Sequence, residues 1–223
     1  MPSAGTRASR AVDRPSAAGE AGRLELLEAL LAAADAAQCA QRALGWLQRR
    51  AAVRRGLCLV AHVGEGARLV PVARLGLPRE RVAAWSVDLD LRELPLTRAL
   101  LAAEPLVLAP NGDGAAVTPL GRCEVHAIPL APRRPGDAPA GLVLVTPLTP
   151  SLAREARWLG RVLGPRLASL VDTARLEQSE QRLQRDRRLL STIINAVTDP
   201  ILLTDGEGRI IIANTRAEAL LAT

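Results

Sequence analysis

The chain contains no phenylalanine, no tyrosine and no lysine, and its only large rings are Trp46, Trp85 and Trp158. A core must therefore be assembled from Leu, Val, Ile and Ala. With a hydrophobic fraction of 48% there is enough of them to exclude a wholly disordered protein. Cysteine is equally scarce. Cys39, Cys58 and Cys123 are odd in number, widely spaced and form no C-x-x-C, which excludes a disulfide scaffold and a zinc finger and fits a reducing cytoplasm. Long apolar runs are missing too. The most apolar stretch, residues 24–47, is broken by Glu25, Glu28, Asp35, Gln38, Gln41 and Arg42, so no membrane span is expected. The opening residues, MPSAGTRASRAVDRPSAAGEAG, lack the continuous apolar core of a signal peptide.

What is abundant is arginine. The net charge of +6 comes from 29 basic and 23 acidic residues. A basic balance points toward nucleic acid or acidic membranes when it is concentrated. Here the arginines run along the whole chain, and the aromatic side chains that single-stranded nucleic-acid binders stack on are lacking. An Arg-only, Ala-rich composition is more simply the mark of a GC-rich genome, and no direct nucleic-acid contact is expected.

Residues 1–22, rich in Ala, Ser, Gly, Pro and Arg, show no apolar period and read as a disordered tail. From Arg23, Leu24, Leu27, Leu31, Ala34, Ala37, Leu44 and Leu47 predict one long amphipathic helix ending near Gly56. Two strand-like runs, 57–63 and 67–74, flank a glycine-bearing turn and predict a hairpin. A helix over 78–85, a short helix over 95–103 and a strand over 106–109 follow. A second hairpin, EVHAIPL at 124–130 and AGLVLV at 140–145, is joined by a Pro- and Arg-rich turn, and Pro129 suggests an edge or bulge. With no helix large enough for a parallel crossover, the sheet should be mainly antiparallel.

Beyond residue 150 the pattern is helical. Leu152, Ala156, Leu159, Leu163, Leu167 and Leu170 make one stripe, with a kink or restart expected at Gly164 and Pro165. Leu176, Leu183, Leu190 and Val197 then recur every seven residues, with Ser179 and Asp186 before Ile193 at the alternate core positions. This is half of a heptad seam, and the expectation is a helix over 150–198 that pairs with a copy of itself in a parallel homodimer, with a solvated single helix as the alternative. Asp199 and Pro200 end it. ILLT, the turn DGEG and RIIIA predict a last hairpin, followed by the start of a helix.

Two segments carry a family likeness. The phrases SVDLDLRELPLTRALLAAEPLVLA and VHAIPLAPRRPGDAPAGLVLV lie in a region, residues 23–172, that resembles a GAF domain. The resemblance implies an α+β fold, with an antiparallel sheet flanked by helices. The first and last helices would pack on one face, and a small-molecule pocket would lie under the middle helices on the other. Residues 173–198 would be a coiled-coil linker. The phrase LLSTIINAVTDPILLTDGEGRIIIANTRAEALL resembles the opening of a PAS domain, of which residues 199–223 hold only the first hairpin and helix. A PAS sheet does not close without its later strands, so the chain reads as the N-terminal part of a longer protein. GAF–helix–PAS order implies a cytoplasmic bacterial signalling protein, foremost a two-component sensor histidine kinase, with a diguanylate cyclase or transcription regulator as alternatives.

No catalytic constellation is present. The glycines at 112–114 and 206–208 lack the G-x-x-x-x-G-K-[ST] order of a P-loop, and neither histidine has the helical setting of a phosphoacceptor. The chain is expected not to be an enzyme, to hold no metal and to need no cofactor, with an unidentified small-molecule ligand. The candidate ligand-binding residues are His62, Trp85, Thr97, Arg98, Cys123 and His126, with Asp88 beside them. His62 and His126, near Cys58 and Cys123, would form a metal or haem site only if their strands were neighbours, and no H-x-x-x-H supports it. Cys123 does not fit a bilin attachment, because His126 does not follow it directly and the tyrosines of a bilin pocket are missing. Arg98 suits a ligand carboxylate or phosphate. Two other readings remain open: a GAF-like module without ligand, serving dimerisation only, and a small GAF-fold reductase using a cysteine.

Overall fold

The computed structural model describes residues 17–62, 66–91, 94–110, 118–149 and 152–222. The chain divides into two compact units, residues 1–171 and 172–223.

In the first unit the sheet has six strands: β1 (Arg55–His62), β2 (Arg68–Leu75), β3 (Val87–Asp88), β4 (Leu106–Leu108), β5 (Val125–Leu130) and β6 (Gly141–Thr146). Their order across the sheet is β3-β2-β1-β6-β5-β4, and every pairing is antiparallel. β1 and β6 are central, which explains the unbroken apolar runs LCLV and GLVLV: a strand covered on both faces has no polar side to alternate with. Both predicted hairpins form. β2 bulges, since Cys58 pairs with Ala73 while Leu59 pairs with Pro71. Pro129 lies past the end of the β4 pairing, which covers only Val125 to Ala127, and so sits where a missing N–H breaks no ladder on that side.

Two cores lie on the two sheet faces. The first is formed by α1 (Ala17–Leu31), α2 (Ala36–Ala51) and the N-terminal half of α5 (Ala153–Ala196), which cover Cys58, Val60, Ile128, Leu130, Val143 and Val145. The second is formed by α3 (Arg79–Ala83) and α4 (Pro95–Ala102) over Leu57, Leu59, Leu69, Val125, Leu142 and Leu144. Burying each such leucine contributes about 1.5–3 kcal/mol, and without Phe or Tyr this repetition of leucines supplies the stability.

The structure differs from the expected single first helix. It has two helices, and residues 17–22, expected in the tail, belong to α1; the rest of that tail, residues 1–16, lies outside the described residues. Asp35 caps α2, its side chain accepting from the amide of Gln38 at 2.7 Å. Arg166, on α5, donates to the carbonyls of Leu30, Leu31 and Ala33, placing a cation on the C-terminal end of α1. The break changes the phase of the apolar stripe. Leu26, Leu30 and Ala33 are buried, whereas Leu24 and Leu31, assigned to the core side from their spacing, are 58% and 69% exposed.

No restart occurs at Pro165: α5 is one helix of 44 residues. Gly160 and Gly164 bring its backbone against the end of β5. A Cβ on Gly164 would lie 2.1 Å from the carbonyl oxygen of Ala131, and the amide of Ala131 donates to the carbonyl of Gly160 at 3.0 Å. Among the described residues no helix is long and apolar enough to cross a membrane.

The second unit holds the rest of α5, a hairpin of β7 (Leu202–Thr204) and β8 (Ile210–Ala213), and α6 (Thr215–Leu221). Its organising residue is Asn214, fully buried. Its Oδ1 accepts from the amides of Ile201 and Ala217, both at 2.9 Å, and its Nδ2 donates to the carbonyl of Asp199 at 2.8 Å. One side chain thus caps α6 and ties the entry of β7 to the exit of β8. Asp205 shapes the turn, accepting from the amides of Glu207 and Arg209, and these bonds hold its carboxyl below the usual range.

Candidate functional site

The six candidate residues do not converge. His62 ends β1 and is exposed, and His126 is on β5. β6 separates their strands, so the adjacency that a metal site required is absent. His126 is level with Val145, which is level with Gly56, and His62 lies six residues farther along β1. At about 3.3 Å per residue the two imidazoles are at opposite ends of the sheet, roughly 20 Å apart. No cluster of three or more potential metal ligands occurs among the described residues. His126 also alternates with Val125 and Ala127, which places it on the α1/α2/α5 side of the sheet. There it is half-buried, with Nε2 3.0 Å from Oε1 of Glu124.

The cysteines separate in the same way. Cys58 belongs to the helical core under α2 and α5, where burial pushes its thiol well up, with the neighbouring Cys39 adding to the effect. Cys39 is also fully buried, and burial pushes it up to about 11 against the opposing pull of Arg166 and Arg42. Neither is a nucleophile at neutral pH, since reactivity needs the thiolate. Cys123 lies over the other core, half-buried, its Sγ 3.6 Å from the carbonyl of Leu120 and 3.7 Å from that of Gly121.

The α3–α4 face gathers three of the six: Trp85, Thr97 and Cys123 all border the second core. Trp85, just after α3, is half-buried and walls a cleft of about 460 Å³ along the part of β2 that β3 leaves unpaired. Asp88 closes a local turn, its carboxylate accepting from the amide of Asp90 at 2.9 Å. Thr97, in α4, is 0% exposed, and its hydroxyl has no hydrogen-bond partner among the described residues. Leaving a buried hydroxyl unpaired costs about 1–3 kcal/mol. Arg98, the next residue, is about 100° around the helix and exposed, lining a depression on the outer side of α4.

Thr118 is a residue that sequence reasoning missed. Its hydroxyl is likewise buried and unpaired among the described residues, just ahead of Pro119 and Leu120. No periodicity marks it, and an unpaired hydroxyl is visible only once its surroundings are known. The floor between these groups is apolar and tightly closed, with Leu57, Leu59, Leu69, Leu120, Leu142 and Leu144 all 0% exposed.

No protein-family model and no curated protein sequence matches the chain. Solved structures do. The GAF domain from an Acinetobacter phosphoenolpyruvate-protein phosphotransferase is similar at TM-score 0.58 and 15% identity, over 69% of this chain and 95% of that one. The GAF domain of the corresponding protein from Coxiella burnetii is similar at TM-score 0.55 and 18% identity, over 71% and 98%. Residues 122 to 287 of a methyl-accepting chemotaxis protein are similar at TM-score 0.53 and 14% identity, over 65% and 96%. At such identities the likeness concerns architecture, and it coincides with the sheet order and helix placement described above: the first unit of this chain has the fold of a GAF domain.

Proposed function

We propose that this chain is the non-enzymatic sensory input module of a cytoplasmic bacterial signalling protein, foremost a two-component sensor histidine kinase. A small molecule binds on the α3–α4 face, and α5 passes the change to a second copy of the chain and to an output domain. The observation that carries this reading is the composition of α5. Its N-terminal half buries Ala156, Leu159, Leu163 and Leu167 in the core of the first unit. Its C-terminal half leaves Leu176, Leu183, Leu190 and Ile193 between 54% and 67% exposed. Such a stripe on a solvated helix is explained by a partner, and heptad spacing suits a parallel copy. The mechanism is a population shift, in which ligand favours one packing of α5 against the sheet. The likeness of residues 189–221 to the opening of a PAS domain, with Asn214 tying the base of its hairpin, agrees with a relay toward a further domain.

The test is self-association measured by light scattering across a concentration series. A dimer that Leu183→Glu turns into a monomer is expected; a native chain that stays monomeric throughout overturns the transmitting half. A second reading, a GAF-fold module that only dimerises, draws on the six leucines closing the α3–α4 face. A thermal-shift screen with nucleotides, amino acids and organic acids separates the two readings, because only the first expects stabilisation by a compound.

A further inference from the structure

The edge of β5 past Ala127, where β4 ends, borders a cavity of about 480 Å³ that none of the six candidate residues lines. Ligand sites are typically about 300–1,000 Å³. Its floor is Pro105, Pro129, Ala131 and Pro132, and its rim is Arg154, Arg157 and Arg161 of α5. We infer that this is a binding site for a small organic anion with an apolar body and a carboxylate head.

Each part of the surround contributes a reason. Three of the floor residues are prolines, whose fixed φ preforms the surface and whose missing N–H leaves no donor to desolvate. The three arginines stand at i, i+3 and i+7, which places them on one face of α5, where like charges repel. Among the described residues no carboxylate lines the cavity. Glu104, the acid next to Pro105, lies instead with Arg98 along the outer side of α4. Other arginines at α5 have assigned duties: Arg23 reaches across from α1 to Glu155, and Arg166 caps α1. Among the described residues Arg157 bonds only its own helix, Nε donating to the carbonyl of Ala153 at 3.3 Å, and Arg161 has no partner. A carboxylate is an acceptor that fits guanidinium groups bidentately, and a saturated chain is what fits a floor without donors. The cavity also spans the contact through which Gly160 and Gly164 seat α5 on β5, so an occupant would touch the proposed transmitting helix directly. That consequence rests on the reading above, whereas the binding itself does not.

The test is calorimetric titration of the full chain with sodium decanoate below its micellar concentration. Saturable binding with one decanoate per chain is expected, with 1-decanol and decyltrimethylammonium each at least about tenfold weaker. Arg157→Gln with Arg161→Gln should weaken decanoate about a hundredfold, roughly tenfold for each charged donor removed. Arg182→Gln with Arg185→Gln, on the exposed half of α5, should leave binding unchanged, and unaltered thermal melts would show that both double variants fold. Equal affinity for 1-decanol, undiminished binding by the Arg157/Arg161 variant, or no saturation into the millimolar range would overturn the site. None of these results depends on whether the chain dimerises.

Discussion

Arg23 and Glu155 are 132 positions apart in sequence and joined by two hydrogen bonds, Nη2 to Oε1 at 2.6 Å and Nε to Oε2 at 3.1 Å. The same guanidinium lies 4.9 Å from the centre of the Trp158 ring, and Trp158 in turn packs 5.7 Å from Trp46. The indole N–H of Trp46 donates to the carbonyl of Gly22 at 2.9 Å, closing the cluster around α1, α2 and α5. Both charged side chains are about one-fifth exposed, at 21% and 20%. A bidentate, partly buried pair is worth more than a surface bridge. Arg23→Ala and Glu155→Gln should each destabilise by about 1–2 kcal/mol in urea unfolding. A double-mutant cycle should return a coupling of about 1 kcal/mol that weakens with salt. A coupling near zero would mean that the aromatic cluster, without the ion pair, fastens the terminal helices.

Two helical glycines should respond to alanine with opposite signs. Gly164→Ala places a methyl 2.1 Å from the Ala131 carbonyl oxygen, a backbone atom that moves only if α5 lifts from the sheet. Overpacking of this kind costs about 1–3 kcal/mol. Gly45→Ala meets only the far end of the Arg49 side chain at 3.7 Å and gains about 0.5–1 kcal/mol from helix propensity. Thermal denaturation of the two variants is the check, and a tolerated Gly164→Ala would disprove the close seating of α5.

The absence of Lys and Tyr makes alkaline pH an unusually clean probe of the thiols. Cys39 is raised in the folded state from 9.0 to about 11, chiefly by burial, and Cys58 is raised in the same direction. A raised folded-state value means that the unfolded chain releases its protons first. The stability contributed is full below pH 9 and is lost as pH rises toward 11, by on the order of 2–3 kcal/mol for Cys39. Urea midpoints at neutral pH and at successive alkaline values should fall accordingly, and Cys39→Ala should flatten the decline. At neutral pH a thiol reagent should modify Cys123 first, with Cys39 and Cys58 reacting on unfolding.

Thr97 tests the pocket. If its hydroxyl is unpaired until a ligand arrives, Thr97→Val should raise the stability of the free protein by about 1 kcal/mol, since it removes a buried group with no partner. Thr97→Ser should leave it near native. A Thr97→Val variant that loses more than about 1 kcal/mol would show that the hydroxyl is already satisfied.

Much of this fold was legible because the sheet imposes period two and the helices period 3.6. The hairpins β1–β2, β5–β6 and β7–β8, their antiparallel sense and the buried stripe of α5 at Ala156, Leu159, Leu163 and Leu167 follow from those periods. The break between α1 and α2 did not, because Ala is compatible with either phase and the helix ends at a cap supplied by Arg166, 133 residues beyond Ala33. The candidate site was legible only in part. Trp85, Thr97 and Cys123 meet on one face, whereas His62, Arg98 and His126 go elsewhere. A strand's position in the sheet order, and the face on which its residues fall relative to a core, are set by pairings distant in sequence.

Local chemistry in the sequence determined which segments became strands and helices, how their turns close, and that leucine must fill the core. Only the tertiary structure decided which hydroxyls lie buried without partners, which arginines are committed to α1, and which line the edge of β5. Those properties belong to the surroundings of a side chain, and its surroundings exist only once the sheet has closed.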